Sequence, residues 1–151
     1  MKKVYLAMYK GPGDQIHHKV FHYGTCVWTL SRYSHCELLI DNLCYSSSAR
    51  DSGVRSKSIP NLHDSGKWDI FYLPSIDAEK ALDIFYEHVG KKYDYLGVAR
   101  HVVPFIPNIE DRMYCSELVS AMCSLPQTEK TPEDVFRTLV VNYTRKIMLP
   151  E

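Results

Sequence analysis

The stretch HCELLI-DN-LCYSSS, residues 35–48, constrains this chain more than any other. Two strand-like runs flank Asp41-Asn42, a dipeptide suited to a tight two-residue hairpin turn. Such a turn pairs residue 40 with 43, and counting back sets Glu37 opposite Ser46 and His35 opposite Ser48. Strand side chains alternate, so His35, Glu37 and Leu39 share one face, while Cys36, Leu38 and Ile40 share the other. A histidine, a carboxylate and two hydroxyls therefore gather at one end of the hairpin. Taken alone, that face also reads as the solvent-exposed polar side of an antiparallel sheet.

The rest of the chain alternates similar signals. VYLAMY (4–9) reads as a strand stopped by the GPG of residues 11–13. Residues 14–30 suit a helix carrying Ile16, Val20, Tyr23 and Val27 on one side. A short strand is expected near 54–58 and another over 68–73. DAEKALDIFYEHV (77–89) predicts a helix capped by Asp77 and ended at Gly90. A Pro-containing loop (104–110) precedes a helix opening near Cys115 and ending before Pro126. TPEDVFRTL (131–139) has Thr131 as N-cap and Pro132 at the first helical position, and 141–149 reads as a closing strand. The expectation is an α+β fold, an antiparallel sheet packed with helices, as a single domain over 1–151.

Charge and cysteine usage narrow the partners. Eighteen basic and eighteen acidic residues cancel, so no global field points to nucleic acid or an anionic membrane. Five cysteines, at 26, 36, 44, 115 and 123, make an odd number with no CxxC pair. Reduced thiols in a cytoplasmic compartment are expected rather than a disulfide framework. The first apolar run breaks at Lys10 and Gly11, too short for a signal peptide, and no stretch approaches membrane-spanning length. A soluble domain is expected.

Of seven histidines, His18 and His22 have the i, i+4 spacing of metal ligands, but nothing nearby completes a set, so a solvated helix face is expected and no metal. His17, His63, His88 and His101 have no diagnostic partner in sequence. Cys115, Leu118, Val119 and Met122 form an apolar helical stripe, the pattern of a core thiol. Yet a cysteine in a helix's first turn meets the positive end of the dipole and is biased toward thiolate, and the free N–H groups there suit an oxyanion. Core and reactive roles fit the same spacing.

SRYSHCELLI, followed in order by YSSSARDSGVR, GKKYDYLG and YCSELV, resembles the circularly permuted branch of the NlpC-type, papain-like cysteine hydrolases. The opening strand, YKG and the helix leading into the SH strand are similar to phage and bacterial members. The resemblance covers most of the chain and implies a permuted papain-like fold in which the histidine strand precedes the cysteine helix. It implies Cys115 as nucleophile, His35 as general base and Glu37 as the residue orienting it, while the hairpin count offers Ser48 or Ser46 as alternatives. Glu117 is read as structural, and Tyr93 and Tyr114 as candidates to line the pocket. The implied activity is a thiol protease or amidase acting through a Cys115 thioester, without cofactor. Ester or thioester substrates and acyl transfer fit the same family. A phage-type protein that keeps the fold and acts by binding a host factor is the rival expectation.

Overall fold

The computed structural model describes residues 2–11, 26, 31–60, 62, 66–100, 111–126 and 131–141. The expected helix over 14–30, with His17, His18 and His22, lies outside these apart from Cys26, as do His63, His101, the 104–110 loop and residues 142–149. Seven strands are described: β1 (Val4–Tyr9), β2 (His35–Ile40), β3 (Leu43–Ser48), β4 (Gly53–Lys57), β5 (Trp68–Tyr72), β6 (Lys92–Tyr93) and β7 (Arg112–Met113). The helices are α1 (Ala78–His88), α2 (Tyr95–Arg100), α3 (Cys115–Met122) and α4 (Pro132–Phe136), the last running into a π-helical turn, Arg137–Val141. The strands form one sheet in the order β5-β1-β2-β3-β4-β6-β7.

The central hairpin forms as its turn dictates. Asp41 and Asn42 both take positive φ, 49° and 64°, which matches the twist of the flanking strands. Ile40 pairs with Leu43, Leu39 with Cys44 and Leu38 with Tyr45. The ladder then stops. Beyond it the Ser46 hydroxyl, rather than a backbone amide, reaches the Cys36 carbonyl at 2.8 Å. On the other side β1 pairs with β2 along its whole length, from Val4↔Ile40 to Tyr9↔His35.

Strand alternation builds two apolar layers. Val4, Leu6, Met8, Cys36, Leu38 and Ile40 face α1, α3 and α4, whose Ala81, Phe85, Leu118, Val119 and Val135 complete the main core. Ala7, Leu39, Cys44 and Leu62 form a smaller layer with Trp68 and Ile70 on the opposite face. Caps fix the helices: Asp77 accepts from the N–H groups of Glu79 and Lys80, and Thr131 Oγ1 accepts from the Asp134 N–H at 3.1 Å.

The α+β expectation holds, with corrections. The sheet is mixed rather than antiparallel throughout, because β6 and β7 pair in parallel. The connection between them, residues 94–111, begins with α2 and has the length a parallel pairing needs. β6, α2 and β7 were not legible as elements, since two-residue strands carry no periodicity. Val141, expected to begin a closing strand, instead belongs to the π-helical turn.

Gly53 joins β4 to β6. It pairs with Lys92 at φ +150°, where a Cβ would run into the Lys91 carbonyl. Gly66 also has positive φ, +63°, but open space around it among the described residues. Gly53→Ala should therefore cost on the order of 3 kcal/mol through combined strain and clash, against about 1 kcal/mol of strain alone for Gly66→Ala. Urea unfolding of both variants checks the difference; equal costs would contradict this account of the β4–β6 junction.

Candidate active site

Cys115 opens α3, so its sulfur sits at the end of the helix whose first N–H groups have no partners within the helix. The Tyr114 N–H just before it is taken up by Glu117 Oε2 at 3.2 Å, which gives Glu117 the structural role expected of it. Leu118, Val119 and Met122 bury the apolar stripe, and Cys115 at 4% exposure belongs to the same core. Membership of the stripe and a place at the helix start coexist in one residue.

α3 packs against β2 where the β2–β3 ladder has ended, and there Cys115 meets His35 and Cys36. The thiol of Cys36 donates to the Cys115 sulfur, as does the Cys36 backbone N–H, while His35 supplies both charge and a hydrogen bond. The Cys36 bond acts most strongly, and with His35 it outweighs burial, holding the Cys115 thiol well below its ordinary range. Burial pushes Cys44 and Cys123 the other way, each to about 12, and raises Cys26 and Cys36. Among five free thiols, Cys115 alone is driven toward thiolate.

His35 and Glu37 emerge on the same face of β2, as strand alternation requires. His35 Nε2 lies 2.9 Å from Glu37 Oε1, which leaves Nδ1 as the ring nitrogen for Cys115. Burial works against a charged imidazole here, but the Cys115 charge and then Glu37 overcome it and raise His35 to about 9. Burial likewise opposes ionisation of Glu37, which is 1% exposed, yet His35 and Arg55 hold its carboxyl at about 2. Together these shifts favour a thiolate–imidazolium pair backed by a carboxylate.

Arg55 is the member that sequence reasoning missed. From β4 its Nη2 donates to Glu37 Oε1 at 2.8 Å and its Nη1 to Oε2 at 3.1 Å, a two-pronged clamp. Its Nε donates to Asp51 Oδ2 at 2.7 Å, and Lys57 Nζ meets the same oxygen at 2.7 Å. Arg55 pairs in register with Ser46, the residue next after the last β2–β3 pair. The signal lay in that register: a small serine between Glu37 and an arginine leaves room for the guanidinium to cross one strand.

The two alternative orienters do other work. Ser46 Oγ donates to the Cys36 carbonyl, and Ser48 Oγ accepts from the Arg50 N–H at 3.3 Å. A cleft of about 700 Å³ opens beside His35, with Glu37, Ser48, Trp68 and Tyr93 among its lining residues. Tyr93 is buried close enough to feel the Cys115 charge. Tyr114, expected beside it, is not among the described lining residues, and neither is Cys115.

Among the described residues, no three His, Cys, Asp or Glu side chains are grouped to hold a metal ion. His88 instead bonds the Ile84 carbonyl at 2.7 Å. No described helix is long and apolar enough to cross a membrane.

These shifts predict that iodoacetamide labels Cys115 first of the five cysteines at about pH 6–7, where the others remain protonated. Glu37→Gln removes the charge that favours the imidazolium, so His35 should fall, Cys115 should rise, and the labelling profile should move to higher pH. Ser48→Ala should leave it in place. Peptide mapping against time and pH reads both; a Glu37→Gln profile that does not move would remove Glu37 from the role. No protein-family model matches this chain, and no curated protein matches it.

Proposed function

We propose that the protein is a cysteine hydrolase of the circularly permuted, NlpC-type papain-like fold, with Cys115 as nucleophile, His35 as general acid and base, and Glu37 as the orienting carboxylate. The observation that carries this reading is the convergence of a thiol at a helix start with a histidine already held by a buried carboxylate. The order of histidine strand before cysteine helix agrees with the permuted branch.

The chemistry follows from the groups present. The Cys115 thiolate attacks the carbonyl carbon of an amide, forming a C–S bond as the carbonyl electron pair moves to oxygen. The first-turn N–H groups of α3 are the donors nearest in the chain to Cys115 for that oxyanion. Collapse of the intermediate expels the amine, which takes the proton from the His35 imidazolium and leaves a thioester on Cys115. His35 then accepts a proton from water, whose oxygen attacks the thioester. Cys115 departs as thiolate and the carboxylic acid is released. The buried position of Cys115 favours a second reading, in which a substrate nucleophile other than water resolves the thioester and the product is a transferred acyl group. Reduced thiols fit a reducing compartment such as the cytoplasm.

An activated ester, p-nitrophenyl acetate, tests the shared step without knowledge of the natural substrate. Intact-mass and peptide analysis should find the acetyl group on Cys115, and Cys115→Ala should not release nitrophenolate above background. His35→Ala should slow acylation by about 100-fold or more. Turnover should rise as the Cys115 thiolate forms and fall as the pH passes about 9, where His35 loses its proton. Equal acetylation of Cys115→Ala would refute the hydrolase reading.

A further inference from the structure

The cleft beside His35 is more basic than its internal pairing requires. Four of its lining residues can carry positive charge: His35, Arg50, Arg55 and Lys57. His35 and Arg55 are committed to Glu37, while Lys57 and the second edge of Arg55 are committed to Asp51. That leaves Arg50, which has no carboxylate within ion-pair distance among the described residues. Its guanidinium lies over the ring of Tyr9, 5.7 Å from the centroid, and its backbone N–H is tied to Ser48.

The surroundings say what this charge faces. Tyr9 pairs with His35 across the β1–β2 ladder, so Arg50 stands one aromatic ring away from the catalytic base. The Tyr9 and Trp68 rings are tilted against each other with centroids 4.9 Å apart, and His35 meets Trp68 edge-on at 6.4 Å. Tyr93 and Tyr95 form a second aromatic pair at 4.9 Å, with the Tyr95 hydroxyl donating to the Ala49 carbonyl next to Arg50. The Tyr9 ring neighbours this guanidinium without neutralising its charge, so its planar N–H groups can still pair with an anion.

We propose, resting on the reading of Cys115 as nucleophile, that this cleft selects substrates bearing a carboxylate a few bonds from the scissile carbonyl, bound by Arg50, with the adjoining apolar part against the tyrosines and Trp68. A planar, singly charged carboxylate matches the single Arg50 guanidinium in charge and geometry. A doubly charged phosphate would leave one negative charge uncompensated near the Glu37 carboxylate, so the match favours the carboxylate.

Two isosteric alkylating reagents test this without a known substrate: N-iodoacetylglycine, which ends in a carboxylate, and N-iodoacetylglycinamide, which ends in a neutral amide. In each case the Cys115 thiolate displaces iodide and forms a thioether. The readout is the ratio of the two labelling rates at Cys115, because a general change in thiolate reactivity moves both together. Arg50→Ala should lower the acid-to-amide ratio roughly two- to fivefold, the range of an exposed ion pair. Arg50→Glu should lower it further, Arg50→Lys should retain most of it, and high salt should narrow the gap. The same ratio in wild type and Arg50→Glu, with Cys115 labelling readily, would overturn the assignment of Arg50 alone. A folded protein whose Cys115 labels with neither reagent would overturn the nucleophile, and the cleft assignment with it.

Discussion

Burying an ionised carboxylate costs several kcal/mol unless charge and hydrogen bonds replace the lost water, and Glu37 is 1% exposed. The arrangement around it meets that requirement through His35 on one side and the two-pronged Arg55 contact on the other. Both partners are needed at once. Arg55 ties β4 to β2 across the point where the β2–β3 ladder has ended, and the Glu37 carboxylate it holds also engages His35 Nε2. Asp51 and Lys57 extend the chain of alternating charges toward the surface. The carboxylate thus acts in the fold and in the site through the same contacts.

A second consequence concerns the thiolate. An anion on Cys115 at 4% exposure would be untenable with a helix start as its sole support. His35 supplies a neighbouring cation, and Cys36 supplies hydrogen bonds from both its thiol and its backbone. Because Cys36 faces the helices and His35 faces the cleft, consecutive residues of β2 address Cys115 from two sides. That is possible where the sheet has parted after Leu38, and not further along the hairpin, where β3 closes the gap.

Much of this was legible in the sequence because it follows from local geometry. The Asp41-Asn42 turn set the register, and a period of two put His35 and Glu37 on one face. The 3.6-residue period placed Cys115 on a buried stripe, and Asp77 and Thr131 marked helix starts through their side-chain caps. Features that depend on pairing between distant segments were not legible. β6 and β7 exist because Tyr93 N–H reaches the Ser52 carbonyl and Lys92 N–H reaches the Asp111 carbonyl, contacts no local pattern announces. Counting back along the hairpin also carried the ladder past Leu38, where it in fact ends. Arg55 was missed for a related reason: its role appears when three strands are laid side by side.

The central claim is that His35 is an imidazolium held between the Cys115 thiolate and Glu37. NMR titration of the His35 ring in the intact protein tests it most directly. The account predicts a proton retained up to about pH 9, with a lower titration point in Cys115→Ala, where the larger of the two supporting charges is gone. A ring that titrates near the ordinary value of about 6.5, and at the same pH with and without Cys115, would contradict it.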